Sequence, residues 1–266
     1  MKKLSLTKQV KSLGRELGLD LIGVCSVKSL PRLERLDHQR NVQTILPEAS
    51  SVIVGGVRII SSAIQSSREN VRIAQYSTMC LYNEMERISY NLSRFLDNKG
   101  YRSAAVPTYL PIDMNNNLGL VGDISLRHAA VQAGLGSPGL SGLSGLVLTP
   151  QYGPRVRFLA VLTDAPLAAD SRRDEKLCDN CGACIDRCPV GAISKDGVVD
   201  VRKCADEHLK FGLPGLVRFS HKLVGADNEQ LHAAFKSPEF WEYWQNLSYG
   251  MFYYCFECLN QCPIPR

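Results

Sequence analysis

The sequence predicts two parts, a mixed α/β domain over residues 1–170 and a ferredoxin-like module over residues 171–266. Three observations carry this. Apolar runs of strand length alternate with helical stripes through the first part. Four cysteines spaced x2, x2, x3 open the second part, and three more at x2, x3 spacing close it; both runs end in Cys-Pro. The composition, 45% hydrophobic and 21% charged over 266 residues, suits a chain that buries a core. A net charge of +5, with no basic run of five or more, does not single out a nucleic-acid partner.

Taken in order, "MKKLSLTKQVKSLGRELGLDLIGV" begins basic, but charges interrupt every apolar stretch. It reads as neither a signal peptide nor a membrane span, and predicts an amphipathic helix with Leu6, Val10, Leu13 and Leu17 on one face. "LDLIGVCSV" and "SSVIVGGVRII" read as buried strands, and "GYRSAAVP" as another after a glycine stop. The serine-rich "SSAIQSSREN" predicts a mobile surface loop. Leu81, Met85, Ile88, Leu92 and Phe95 form a helical stripe. "ISLRHAAVQAGLG" predicts a helix ending in glycines. "SGLVLTP" and "PRVRFLAVLTD" predict a β-hairpin with Tyr152, Gly153 and Pro154 in its turn.

"GLGSPG", Gly134 to Gly139, matches GxGxxG, but it follows a helix and has no βαβ frame, which argues against a dinucleotide fold. Its glycines serve close backbone approach to a flat ligand or another chain segment, or form a plain turn. There is no P-loop and no nucleophile elbow. Tyr109 and Asp113 follow a strand end, where a phenol can deliver a proton or an aromatic can pack a turn; Tyr76 has the same two readings. The five histidines show no HxH or HExxH spacing, which argues against a mononuclear metal site.

"CDNCGACIDRCPVGAI" supplies Cys178, Cys181, Cys184 and Cys188, the run in which the first three cysteines hold one 4Fe-4S cluster and the fourth holds another. "YCFECLNQCP" supplies Cys255, Cys258 and Cys262 with one ligand missing, and Cys204 fills that place. The inferred sets are Cys178, Cys181, Cys184 and Cys262 for one cluster and Cys188, Cys204, Cys255 and Cys258 for the other. Cys25 and Cys80, in apolar periodic segments, read as buried thiols. CxxC spacing and the lack of an export signal favour metal ligation in a reducing cytoplasm over disulfides. Two clusters in series carry single electrons, so the first part must hold what receives them.

"GDISLRHAAVQAGLG", "LVLTPQYGPRVRFLAVLTDAPL", the cysteine runs and "RKC", in this order, resemble the epoxyqueuosine reductases and, more distantly, the reductive dehalogenases. The resemblance implies a first domain of the nitroreductase and cobalamin-reductase type, with base-off cobalamin between it and the two clusters. The expected activity is a cobalamin-dependent reduction of an unidentified substrate by Co(I). Carried over by motif, Gly134, Gly136, Gly139, Thr149, Pro150, Tyr152 and Gly153 would lie near the corrin. Where the family carries a "VDTGPLSDR"-like segment, Ser125 and Arg127 match, while Leu120 and Leu126 stand at its aspartates. Asp123 is then the nearby proton donor or, alternatively, a helix cap. His128, following Arg127, is a candidate proton donor or lower axial contact, or a hydrogen-bonded interface residue.

The helical-repeat extension of many such reductases has no counterpart before Arg266, and no twin-arginine leader precedes the chain. The expectation is therefore a cytoplasmic protein with no membrane contact, and the missing extension argues against tRNA as partner without excluding it. A ferredoxin or flavodoxin is the expected electron donor. Two rival readings are an electron carrier for a separate corrinoid or flavin protein, and a reductase that binds flavin. The fifty residues between Cys204 and Cys255 form an aromatic-rich insertion, with ten of the chain's twenty aromatics between Phe235 and Phe256. They suit packing around the clusters, or a cap or partner surface.

Overall fold

The computed structural model describes residues 2–30, 42–66, 70–109, 111, 122–140, 142–251 and 254–265. Asp113 and Leu120 lie outside the described residues. Helix α1 (Lys2–Glu16) leads into strand β1 (Leu21–Ser26), and the short α2 (Val42–Ile45) precedes β2 (Ser51–Arg58). Next come α3 (Ser61–Gln65), the long α4 (Val71–Asp97), β3 (Ser103–Val106) and α5 (Leu126–Gln132). β4 (Ser137–Gly139), β5 (Gly142–Leu148) and β6 (Val156–Thr163) complete the strands.

The main sheet is antiparallel with order β1-β2-β6-β3. β6 is buried at every position but Arg157, which suits a central strand whose two backbone edges are both paired. Alternation along the strands sends Ile53, Leu159 and Val161 to one face, against Val10 of α1 and Met85, Ile88 and Leu92 of α4. Val52, Val54, Ala160 and Leu162 face the other way, against Ala129, Ala130 and Val131 of α5. This is the two-fold periodicity of a sheet covered on both sides.

Three expectations change. The predicted β5–β6 hairpin does not form: β5 pairs with β4, because β6 is claimed on both edges by β2 and β3. The chain bends away at Thr149, whose N–H and C=O both bond Gly153. The serine-rich stretch contributes α3, which turns Ala63 and Ile64 into the core, so apolar burial overrides its polar composition. Cys25 is buried as expected, whereas Cys80 is exposed on α4, because it lies off the apolar stripe.

The connection out of the sheet is tied down. The Ala168 N–H donates to the Thr7 hydroxyl at 2.8 Å, and the Asp170 carboxylate accepts from Val24 N–H at 2.7 Å and Lys11 at 2.5 Å. Beyond it lie α6 (Ala183–Asp186), α7 (Val201–His208), α8 (Leu213–His221), α9 (Asn228–Lys236), α10 (Pro238–Tyr249) and α11 (Glu257–Gln261). Asp200, Asp227 and Ser237 cap α7, α9 and α10 with their side chains, satisfying N–H groups a helix start leaves open.

The aromatic-rich insertion is α8 to α10. Phe219, Tyr243, Phe211 and Tyr254 form an internal ring cluster. Phe240, Trp241, Trp244 and Tyr249 continue it edge to face onto the surface, where both tryptophans stay about half exposed. Phe256 (1% exposed) and Leu259 join the core under α4 and the sheet. No helix among the described residues is long and apolar enough to cross a membrane.

Candidate functional site

The eight predicted ligand cysteines gather as two groups. Burial raises the Cys184 thiol above its usual range, and the neighbouring Cys262, Cys178 and Cys181 raise it further. Burial also raises Cys262, which lies in the field of Cys181 and Cys178 and is eased down by Arg155. In the other group, burial raises Cys204 beside Cys188, and Cys255 beside Cys204 and Cys188. Cys258, packed against the core, is pushed up to about 12, mainly by burial and then by Cys255 and Cys204. Cys184 also acts on Cys258, so the groups adjoin.

Local structure explains how short runs bring these thiols together. Asn180 and Gly182 both take left-handed backbone (φ 60° and 77°), curling the Cys178–Cys184 loop on itself. The Asp179 carboxylate accepts from Cys181 N–H at 3.2 Å. Ala192 N–H donates to the Cys188 sulfur at 3.2 Å, and Arg187 pairs with Glu257 across the two runs. Among the described residues, no three His, Cys, Asp or Glu side chains converge on one ion. A cubane instead distributes four thiolates over four irons, which suits donors gathered without a common point.

Helix α5 adjoins the group of Cys188. The Arg127 charge eases the Cys204 thiol down, and Arg157 of β6 does the same for Cys258 and, with burial, holds the His208 imidazole down to about 3. Ser125, not Asp123, caps α5: its hydroxyl accepts from His128 N–H and lies 2.7 Å from His128 Nδ1. Asp123 sits too far before the first turn to reach those donors. His128 is lowered by burial and by Arg127.

Tyr109 lies elsewhere, in a cavity of about 150 Å³ whose walls include Gln75, Met79 and Tyr82 of α4, Tyr249 at the end of α10 and Met251 just after it. Asp123, Arg127 and His128 are not among its lining residues. The Tyr109 ring lies 5.3 Å from Tyr82, and burial raises its phenol, so it holds its proton across the neutral range. Gln75, 1% exposed, donates to Asn246 Oδ1 at 2.8 Å and to Met251 O at 3.1 Å. The insertion thereby closes one side of the cavity. Tyr76 is exposed and lines none of it.

The glycine positions meet the chain itself. A Cβ on Gly134 would fall 2.4 Å from Ser171 O, and one on Gly136 2.3 Å from Leu148 O. Gly139 stands against Leu146 O. The Thr149 hydroxyl is held by Gly153 O and Tyr152 N–H, Pro150 is half-buried in the same turn, and Tyr152 packs on the α5 side of the core. A Cβ on Gly153 would fall 1.9 Å from Ile264 O. Beside it Arg155, which sequence reading passed over, donates to Leu259 O, Cys262 O and Ile264 O. Gln75 carries no motif, and Arg155 and Arg157 lie within the quoted "LVLTPQYGPRVRFLAVLTDAPL" stretch without a role of their own there; the part each plays is recognisable only through residues distant in sequence.

The family model of a 4Fe-4S binding domain matches residues 172–194. An epoxyqueuosine reductase of Vibrio cholerae is 25% identical over 253 residues, covering 85% of this chain and 66% of the relative. A solved epoxyqueuosine reductase with an epoxyqueuosine-modified tRNA-Tyr stem loop superimposes with TM-score 0.60 at 18% identity, over 97% of this chain and 65% of that one. A reductive dehalogenase structure tied to B12-dependent dehalogenation gives TM-score 0.60 at 21% identity, over 77% of this chain and 29% of that one. The chain thus spans about two thirds of the reductases' length and under a third of the dehalogenase. In sequence it resembles the epoxyqueuosine reductases along most of its length, and it shares its fold with them and with the reductive dehalogenases.

Proposed function

We propose that this chain is an iron-sulfur reductase that passes electrons one at a time through two 4Fe-4S clusters to a corrinoid cofactor. The observation that supports the reading is that Cys184 and Cys262 lie in the field of Cys178 and Cys181, and Cys255 in that of Cys188 and Cys204 with Cys258 beside them, so each proposed set draws a residue from the other run. Their chemistry fits the cluster: soft thiolates in short loops. The set of Cys178 is the outer one in this proposal, because the other set reaches the core through Cys258 while each set keeps one exposed thiol, Cys181 and Cys204; the outer set is where a low-potential donor such as ferredoxin or flavodoxin delivers electrons. The set of Cys188 is the inner one, beside Arg127 of α5 and Arg157 of β6. Residues 1–170 form the cofactor and substrate domain in this proposal, and residues 171–266 the electron-transfer module. The same reading places the protein in a reducing compartment, the cytoplasm, where thiols stay available to iron.

A corrinoid, when bound, supplies a strongly reducing metal centre. The cavity at Tyr109 does not fit a corrin ring, so none of its residues is assigned to that group; it takes a substrate-sized moiety, with the Tyr109 phenol as proton donor. Gly134, Gly136 and Gly153 serve close approach of the chain to itself, their open sides filled by the backbone of Ser171, Leu148 and Ile264. The relatives supply two substrate classes for assay, a modified tRNA stem loop and an organohalide.

Anaerobic reconstitution with iron, sulfide and hydroxocobalamin, followed by gel filtration, tests the reading. About eight irons and one corrinoid per chain support it, with Cys204→Ala reduced to about four irons. Flavin in place of corrinoid would make the protein a flavin reductase, and neither would make it an electron carrier. Fewer than eight irons in the wild type rejects the two-cluster arrangement.

A further inference from the structure

Three of the four outer ligands, Cys178, Cys181 and Cys184, lie within one loop. The fourth, Cys262, arrives from the far end of the second run, just past the five-residue helix α11. Such a ligand is only as good as the backbone that presents it: a flexible arrival lowers its effective concentration at the cluster and invites replacement by solvent.

One side chain holds that arrival. Arg155 Nη1 donates to Leu259 O at 3.2 Å and Cys262 O at 3.0 Å, and Nη2 to Ile264 O at 2.6 Å. These carbonyls bracket the Cys262 thiol, and the first belongs to the end of α11, where helical carbonyls lack partners of their own. Arg155 is itself fixed. Its N–H donates to Tyr152 O at 3.1 Å, and its carbonyl accepts from Ile59 N–H at 2.8 Å. Behind the strand, Gly153 (φ 56°) lets Ile264 O approach where any Cβ would collide. The turn and the guanidinium together form a socket on the α/β domain for residues 259–264.

We infer that Arg155 is the positioning residue of the outer cluster, locking the strand that brings Cys262 back to Cys178, Cys181 and Cys184. The inference rests on the two-cluster reading above. A planar guanidinium can reach three carbonyls at once, whereas a lysine ammonium holds one or two and leaves partly buried acceptors open.

Iron content, EPR of the dithionite-reduced protein and iron release to a chelator test it. Wild type is expected to hold about eight irons and show the broadened spectrum of two coupled clusters. Arg155→Met should keep about four irons and show the narrow spectrum of one isolated cluster, with far-UV circular dichroism unchanged. Arg155→Lys, the variant that decides the matter if Arg155→Met does not fold, should keep its iron but release half of it roughly tenfold faster. Gly153→Ala should reproduce the Arg155→Met spectrum from the other side of the socket. Wild-type iron and release kinetics in both arginine variants would overturn the inference, as would equal loss of both clusters. A wild type with fewer than eight irons would instead reject the two-cluster reading and take the inference with it.

Discussion

At residue scale, the candidate chemistry divides between two neighbourhoods. Tyr109 keeps its proton because burial disfavours the phenolate. With a substrate in hand, Tyr109→Phe should lower single-turnover rates about 100-fold, within the range of general acid catalysis, with little change in substrate affinity. Unchanged turnover would remove it from the mechanism. His128 makes a different prediction, about stability. Its folded-state pKa lies below the ordinary value, through burial and then Arg127, so below about pH 6.5 the unfolded chain takes up a proton that the folded chain refuses. Stability should therefore fall as pH drops from that value towards the depressed one. Urea melts of His128→Gln should show a shallower loss over the same window; parallel curves would contradict this. The 4Fe-4S run from Cys178 to Cys188 was legible in the sequence because its spacing is local, and a family model matches it over residues 172–194. The α5 cap was not: "GDIS" offers two residues able to cap, and only the position of the first turn separates Asp123 from Ser125.

Among the elements, α1 and α4 were legible from helical periodicity, α5 from the glycines that end it, β1, β2 and β6 from apolar runs that the sheet buries on both faces, and β3, where Val106 alone is buried, from the glycine stop before it. The pairing of β5 was not, because an apolar strand specifies burial without naming its neighbour. Nor was α11, where five residues hold two aims at once. In the proposed arrangement Cys258 serves the inner set, while Phe256, just ahead of it, and Leu259 fill the core beneath α4. Phe256→Ala should destabilise the fold by about 3–5 kcal/mol, as emptied aromatic sites do, and release iron from the inner set. Chemical denaturation with parallel iron assay checks this, and retention of both wild-type stability and iron would show the core closes without it.

For the whole molecule, cluster and fold are one equilibrium. Without iron, burial holds the thiols of Cys184, Cys204, Cys255, Cys258 and Cys262 protonated beyond their normal range, with Cys258 pushed up to about 12. The folded apoprotein thus binds more protons than the unfolded chain above the ordinary thiol pKa of about 8.5, and its stability should decline as pH rises through that window. Iron ligation removes those protons, so reconstitution should proceed faster at pH 8 than at pH 6 and release acid. Thermal melts of chelator-treated and loaded protein from pH 7 to 10 measure the difference; identical slopes would uncouple the thiols from folding.

The placement of Phe256 and Leu259 has a further consequence for biosynthesis. A ribosome delivers β6 about a hundred residues before these two side chains exist, so the newly emerged sheet carries a vacant apolar groove beneath α4 until the final cysteine run follows. The nascent domain is incomplete in its own core, and its maturation in the cell is timed by translation of a segment that, in the proposed two-cluster arrangement, also holds iron.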